Sequence, residues 1–382
     1  MYLIKLFMKY FSFVASILVF FALQTSLTSC NSSPTTSTLP GSWDKLGDFK
    51  GYPRTGASCF VINGVAYVGC GFNYELAGIA GASGRLKDFW RYDDANDDWI
   101  QVADFPGGVR SGAVAFSLNG KGYVGAGFDE LSLPRSDFYE FDPSYGTRGK
   151  WTRIADLGYT IDQHDTTVIP RYGALAFTVK NRAFVGGGHY VSDLKDMWEY
   201  DKANNVWKQA PSLGGSKRQN GFAMVINDIA YVGGGSDNLQ LAKDFFKFEI
   251  KADGTGSWTQ LNGLTGKDAN GNAIAQPRPR DLGAVFSIGN YGYLACGSPI
   301  SVSSQAGLGA LSDIWRYDPS SDSWIQYFSF STNTPTTGNA RASAIGFAVG
   351  DFGYLTTGGS GTSNKLDDCW KFNPVGVEPD NK

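Results

Sequence analysis

The sequence predicts an all-β protein: a six-bladed β-propeller with four antiparallel strands per blade, in which an N-terminal strand closes the last blade. Three observations carry this. A thirteen-residue phrase, KDFWRYDDANDDW at 87–99, returns as SDIWRYDPSSDSW at 312–324 with its aromatic-Arg-Tyr-Asp core and closing Trp at the same offsets, and further copies elsewhere make it the mark of an internal repeat. The composition, with 49 Gly, 26 Phe, 19 Tyr and 10 Trp in 382 residues, describes short aromatic strands joined by tight turns. The closing Trp, finally, is displaced by one unit along the chain, which says how the ring shuts.

The N-terminus stands apart from the repeats. Lys5 and Lys9 precede the apolar run FSFVASILVFFAL (11–23), and QTSLTSC follows; this is a charged region, a short hydrophobic region and a small-residue cleavage site. The run is short for a bilayer span. LTSC (27–30) resembles the bacterial lipobox, which implies a lipoprotein signal peptide over 1–29 and a lipid on Cys30. The protein is then expected in the bacterial cell envelope, anchored to a membrane (outer membrane or periplasmic face). Residues 30–41, NSSPTTSTLP among them, read as a flexible tether.

Six units follow over 42–375, with 376–382 as a C-terminal tail. Each opens on an Arg: Arg54, Arg110, Arg171, Arg218, Arg280 and Arg341. Two strands come next around a two-residue turn, as in FVINGVAYV (60–68), FTVKNRAFV (177–185) and FAVGDFGYL (347–355); Asn-Gly and its relatives between apolar runs are the strongest short hairpin signal. The aromatic phrase supplies the third strand, from DFWRYD (88–93) to DCWKFN (368–373), and a Trp opens the fourth. Those Trp are Trp99, Trp151, Trp207, Trp258 and Trp324, five for six units. Trp43 lies 11 residues before Arg54, as Trp99 lies 11 before Arg110, so the N-terminal strand, over 43–49, is expected to complete blade 6. Closure removes exposed sheet edges, and a monomer is expected. Six copies of one acid argue for scaffolding, with the phrase's aromatics between blades and its Asp tying down a turn.

The Arg, the Gly-ended second strand (YVGCG, YVGAG, FVGGG, YVGGG), the aromatic-Asp phrase and the closing Trp together resemble the kelch repeat. The resemblance covers 43–375 and implies the kelch propeller fold, which hosts protein-binding modules, the copper enzyme galactose oxidase and bacterial sialic-acid mutarotases.

Loop length picks out one end of the ring. The long connections, FNYELAGIAGASGRLK (72–87), 152–170 and 261–279, all open at the end opposite the tight hairpin turns, and long loops on a rigid scaffold usually carry binding chemistry. Two positions per blade line that mouth. After the second-strand glycine come Phe72, Phe128, His189, Ser236, Ser298 and Ser360; after the repeat Arg come Thr55, Ser111, Tyr172, Gln219, Asp281 and Ala342. With Tyr74 and Tyr190, blades 1–3 are aromatic, and Gln219 and Asp281 stand on a polar half, a combination that suits a sugar. The six arginines either converge on the mouth to hold an acid group or pair internally, with a neighbouring blade's carboxylate or with backbone, as their repetition suggests.

The expected function is a binding module for a carbohydrate or protein ligand. The alternative is a sugar-active enzyme of the mutarotase type, with Glu75, Asp129, Glu130, Asp281 and His189 as acid or base candidates. Copper chemistry of the oxidase type is disfavoured: the chain has two His, His164 and His189, and no Cys on a mouth loop. No cofactor or metal is expected, those two His being weak candidates. A net charge of −3 gives no footprint for nucleic acid. Cys59, Cys70, Cys296 and Cys369 have no metal-ligand spacing and read as buried thiols.

Overall fold

The computed structural model describes residues 39–162, 165–267, 270–301, 309–328, 340–360 and 364–376. Cys30, the leader, most of the tether, His164 and residues 377–382 lie outside them.

Six four-stranded antiparallel sheets form the ring, each running from an innermost strand at the axis to an outermost one. Blade 1 comprises Ser58–Ile62, Val65–Gly69, Phe89–Asp93 and Asp98–Gln101. Blade 6 takes Ile345–Val349, Phe352–Thr356 and Cys369–Asn373, and its outermost strand is the N-terminal Ser42–Lys45, paired from Ser42↔Asn373 to Lys45↔Trp370. The closing strand is shorter than the expected 43–49. Beyond Lys45 the chain turns toward blade 1, with the Leu46 and Phe49 N–H groups still donating to the Cys369 and Asp367 carbonyls at 2.9 and 2.6 Å.

The hairpins follow the twist argument, in two versions. Asn63-Gly64, Asn119-Gly120, Lys180-Asn181 and Asn227-Asp228 put both central residues at positive φ. In blades 5 and 6 the glycine comes first, Gly289 and Gly350 at φ 55° and 59°, the arrangement that needs only one such residue. The connection over 152–170 is more ordered than a loop, since Gly158–Asp162 pairs with Asp165–Val168 as a ribbon.

The hydrophobic core is six cores, one per blade interface. Between blades 1 and 2, Phe60 and Phe89 meet Phe141 and Trp151; between blades 6 and 1, Phe347 and Tyr354 meet Tyr92 and Trp99. The phrase's aromatics therefore pack between blades. Gly122 shows how tight this is, because a Cβ there would stand 2.2 Å from the Phe60 ring.

The arginines are the second repeated feature. All six are fully buried, and each is ion-paired to the Asp that opens its own blade's phrase: Arg54 to Asp88, Arg110 to Asp137, Arg171 to Asp196, Arg218 to Asp244, Arg280 to Asp313 and Arg341 to Asp368, at 2.6–2.7 Å. Each Nη1 also donates to a carbonyl sixteen residues on, at Cys70, Ala126, Gly187, Gly234, Cys296 and Thr357. Those six residues sit at φ 57–61°, so the arginine clamps the bend that leads from the second strand into the mouth. Thus Arg54, Arg110, Arg171, Arg218, Arg280 and Arg341 are enclosed, and the reading of them as ligand groups is corrected: a guanidinium at the interior is stable only when paired. The partner is the same blade's carboxylate, and the phrase Asp binds this Arg.

At the axis, the second residue after each Arg also takes positive φ: Gly56, Gly112, Gly173, Asn220, Leu282 and Ser343. In blades 2 to 6 the N–H of this residue donates to the carbonyl of its counterpart in the blade before, from Gly112 to Gly56 at 2.9 Å through to Ser343 to Leu282 at 3.1 Å. This backbone belt, with a cavity of about 150 Å³ along it, lies at the inner edge of the mouth.

Candidate functional site

The two expected mouth positions meet in the structure as bridged pairs: Thr55 with Phe72, Ser111 with Phe128, Tyr172 with His189, Gln219 with Ser236 and Asp281 with Ser298. In blade 6 the partner of Ala342 is Gly359, so Ser360 was one residue out of register, the extra glycine of TTGGS being the reason. A third position completes the set. Phe72 bridges on to Arg85, Phe128 to Pro134 and His189 to Asp193, and each of these third residues lies three before its blade's phrase Asp. Arg85 and Asp193 are functional candidates that composition and loop length had not singled out; their constant offset from the phrase was the available signal.

Blades 1–3 present a continuous stack. Tyr74, first residue of a four-residue helix capped by Asn73, meets Phe72 edge-on at 4.5 Å. The Arg85 guanidinium lies over both Phe72 and Phe128, 5.6 and 5.5 Å from their centroids. Phe128 stacks on Tyr172 at 4.0 Å and 28°, and Tyr172 leans on His189 at 5.3 Å. Tyr190, half exposed, stands on the rim outside this stack.

Arg85 differs from the six repeat arginines. Its Nε donates to Ser111 Oγ at 3.0 Å, and no carboxylate among the described residues lies within ion-pair distance of it. Burial lowers its pKa, and the charge of Asp129 opposes that shift. Asp129 itself is occupied in folding its loop: Oδ1 accepts from the Leu131 and Leu133 N–H groups at 2.9 Å, and Oδ2 faces Arg135 at 3.4 Å. Glu75 and Glu130 are exposed at loop tips.

His189 is the imidazole at the other end of the stack. Its Nδ1 is 2.8 Å from Asp193 Oδ1, while Asp193 Oδ2 accepts from the Asn238 N–H at 2.7 Å. A carboxylate held this way only accepts, so Nδ1 carries the proton and Nε2 is left as the basic nitrogen. Tyr172 alongside has its phenol pKa raised, by burial first and then by the charge of Asp193. The pairing of His189 with His164 falls outside the described residues. Among those described there is no group of three or more His, Cys, Asp or Glu side chains that could hold a metal.

The polar half is more enclosed. Asp281 is fully buried and Gln219 nearly so; Asp281 Oδ2 accepts from Ser236 Oγ at 3.2 Å, which in turn meets Ser301 Oγ at 3.2 Å. The thiols have no part in the mouth: Cys70, Cys296 and Cys369 are buried and free, and burial pushes Cys296 and Cys369 up to about 12.

No protein-family model matches the chain. Among curated proteins, it is similar to N-acetylneuraminate epimerase of Salmonella typhi, 28% identical over 210 residues, covering 46% of this chain and 52% of that protein. The same-named protein of Pasteurella multocida is 29% identical over 126 residues, covering 32% and 28%. The chain thus spans about half the length, or less, of the curated relatives it matches. Among solved structures, one titled "Structure of YjhT" superposes with TM-score 0.63 over 85% of this chain and 95% of that one at 14% identity. The fold is that of a kelch-like six-bladed propeller.

Proposed function

We propose that the mouth binds a sugar acid of the N-acetylneuraminate class and speeds the interconversion of its anomers. The observation that carries this is Arg85: a guanidinium with no ion-paired carboxylate among the described residues, lying over two rings, is a ready site for a carboxylate, which it can take in a bidentate pair. Phe128 and Tyr172 beside it offer a face for the C–H side of the sugar ring. The relatives named N-acetylneuraminate epimerase favour the same substrate class.

Anomer exchange asks little of a protein. The ring C–O bond breaks as the anomeric hydroxyl gives up a proton and the ring oxygen takes one, and closure on the other face reverses both transfers. An imidazole can serve each step near neutral pH. His189, oriented by Asp193, fills this role directly or through one water.

The test is exchange NMR on freshly dissolved N-acetylneuraminate. Wild-type protein should accelerate anomer equilibration, His189→Asn should bind sugar yet lose most of the acceleration, and Arg85→Gln should raise the sugar concentration needed by about tenfold or more, the loss of a charged hydrogen-bonded pair. Binding without any acceleration would reduce the mouth to a binding module; no binding would end the proposal. Anchoring through a lipid on Cys30 is part of the same reading: Cys30→Ala should move the protein out of the membrane fraction, and an unchanged distribution would refute it.

A further inference from the structure

Arg85 borders two hollows at once. On one side is a cavity of about 580 Å³ between the loop tips of blades 1 and 2, walled by Leu76, Ser83, Glu130 and Leu131. On the other is a groove of about 490 Å³ that runs down the flank of blade 1 between Tyr52, Lys87, Trp90, Gln101 and Asp104. Arg85 and Val109 line both, so the groove continues outward from the mouth. Part of its lining serves the scaffold, the Trp90 indole donating to Asp88 at 2.7 Å and Gln101 Nε2 to Asp104 at 3.3 Å, but the Tyr52 ring does not. Tyr52 is 57% exposed, although it precedes by two residues the most enclosed arginine of its blade. Gln101 and Lys87 are exposed beside it, and the Lys87 ammonium stands 3.9 Å from Asp104, a loose pair that leaves its donors available. An exposed ring bordered by side-chain amide, ammonium and carboxylate groups matches what a neutral sugar requires: a stacking face and mixed donors and acceptors.

The chemistry of the sugar acid supplies the connection, and this step rests on the reading of the mouth given above. In a 2-keto sugar acid the carboxylate is attached to the anomeric carbon. A carboxylate on Arg85 therefore brings the anomeric centre beside Arg85, and whatever is linked through its oxygen leaves next to that residue. The two anomers send this oxygen to opposite faces of the ring, and the hollows that Arg85 borders open in two directions from it. We propose that the groove is a second subsite, and that the protein binds sugar acids linked glycosidically to a neutral sugar, with the acid at the mouth and the next residue stacked on Tyr52. Such a linkage blocks ring opening, so this is recognition of a glycan end, distinct from anomer exchange on the free acid.

The experiment compares two probes by titration calorimetry: the methyl glycoside of N-acetylneuraminate, which fills the mouth alone, and sialyllactose, which adds two neutral sugars. Wild-type protein should bind sialyllactose about fivefold or more tightly than the methyl glycoside, as one added stacking contact warrants. Tyr52→Ala should bring that ratio to about one, and Gln101→Ala should lower it. A wild-type ratio near one, or a ratio that survives Tyr52→Ala, overturns the subsite while leaving the mouth intact. Failure of both probes to bind overturns the mouth and the groove together.

Discussion

At the residue scale, seven arginines of this chain divide by their partners. Six are buried against an Asp, and removing one guanidinium leaves a carboxylate that is partly buried, or in Asp137 fully so, without its partner. Arg110→Leu should accordingly cost about 3–5 kcal/mol in urea unfolding, with the buried Asp137 left uncompensated. The same pairs set an acid limit. Burial alone would raise Asp88, Asp196 and Asp368, but the guanidinium and the indole of Trp90, Trp198 or Trp370 outweigh it, and all three end below their usual values. A depressed folded pKa stabilises above the unfolded value of about 4 and loses that contribution as pH falls through the folded one. The urea midpoint should hold steady from neutrality to about pH 5 and then drop; a midpoint that rises on acidification would contradict the assignment. Arg85, by contrast, has no such carboxylate among the described residues and should be replaceable by Gln with little change in melting temperature.

At the scale of elements, the blades alternate. In blades 1, 3 and 5 a Tyr of the third strand bonds the turn residue five positions on: Tyr92 to Asp97, Tyr200 to Asn205, Tyr317 to Asp322, each at 2.9 Å. That turn residue then accepts from the preceding blade's backbone, from Gly47, Ala155 and Asn262. Blades 2, 4 and 6 have Phe141, Phe248 and Phe372 in place of the Tyr. The structural repeat is therefore a blade pair, and the phrase of blade 1 returns most fully in blades 3 and 5, at 195–207 and 312–324. Asp97→Ala removes both bonds and should cost about 1–2 kcal/mol, measured by chemical denaturation. Trp99→Ala, which empties part of the interface between blades 6 and 1, should cost about 3–5 kcal/mol and leave sugar binding intact.

Across the whole molecule, strands, turns and closure were legible because each rests on a repeated local pattern: Asn-Gly turns, period-two aromatics, and the Trp count that placed Trp43 in blade 6. Deleting 42–45 should expose the Cys369–Asn373 edge and broaden the thermal transition, whereas an unchanged melt would refute closure. The partner of each Arg was harder to read, since the separation between Arg and Asp varies from 25 to 34 residues with loop length; only their equal copy number linked them. The mouth was half legible. Phe72, Phe128, Tyr172 and His189 follow from their place after the repeated Gly and Arg, but Arg85 and Asp193 come at the far ends of loops of different length, and only counting back from the phrase aligns them.

The most direct measurement is a titration of N-acetylneuraminate and its methyl ester into wild-type protein and Arg85→Gln. The account predicts that wild type binds the acid about tenfold or more tightly than the ester, since the pair with Arg85 is charge-assisted, and that the two ligands become equal in Arg85→Gln. Equal affinities in wild type, or a preference for the acid that persists without Arg85, would contradict it.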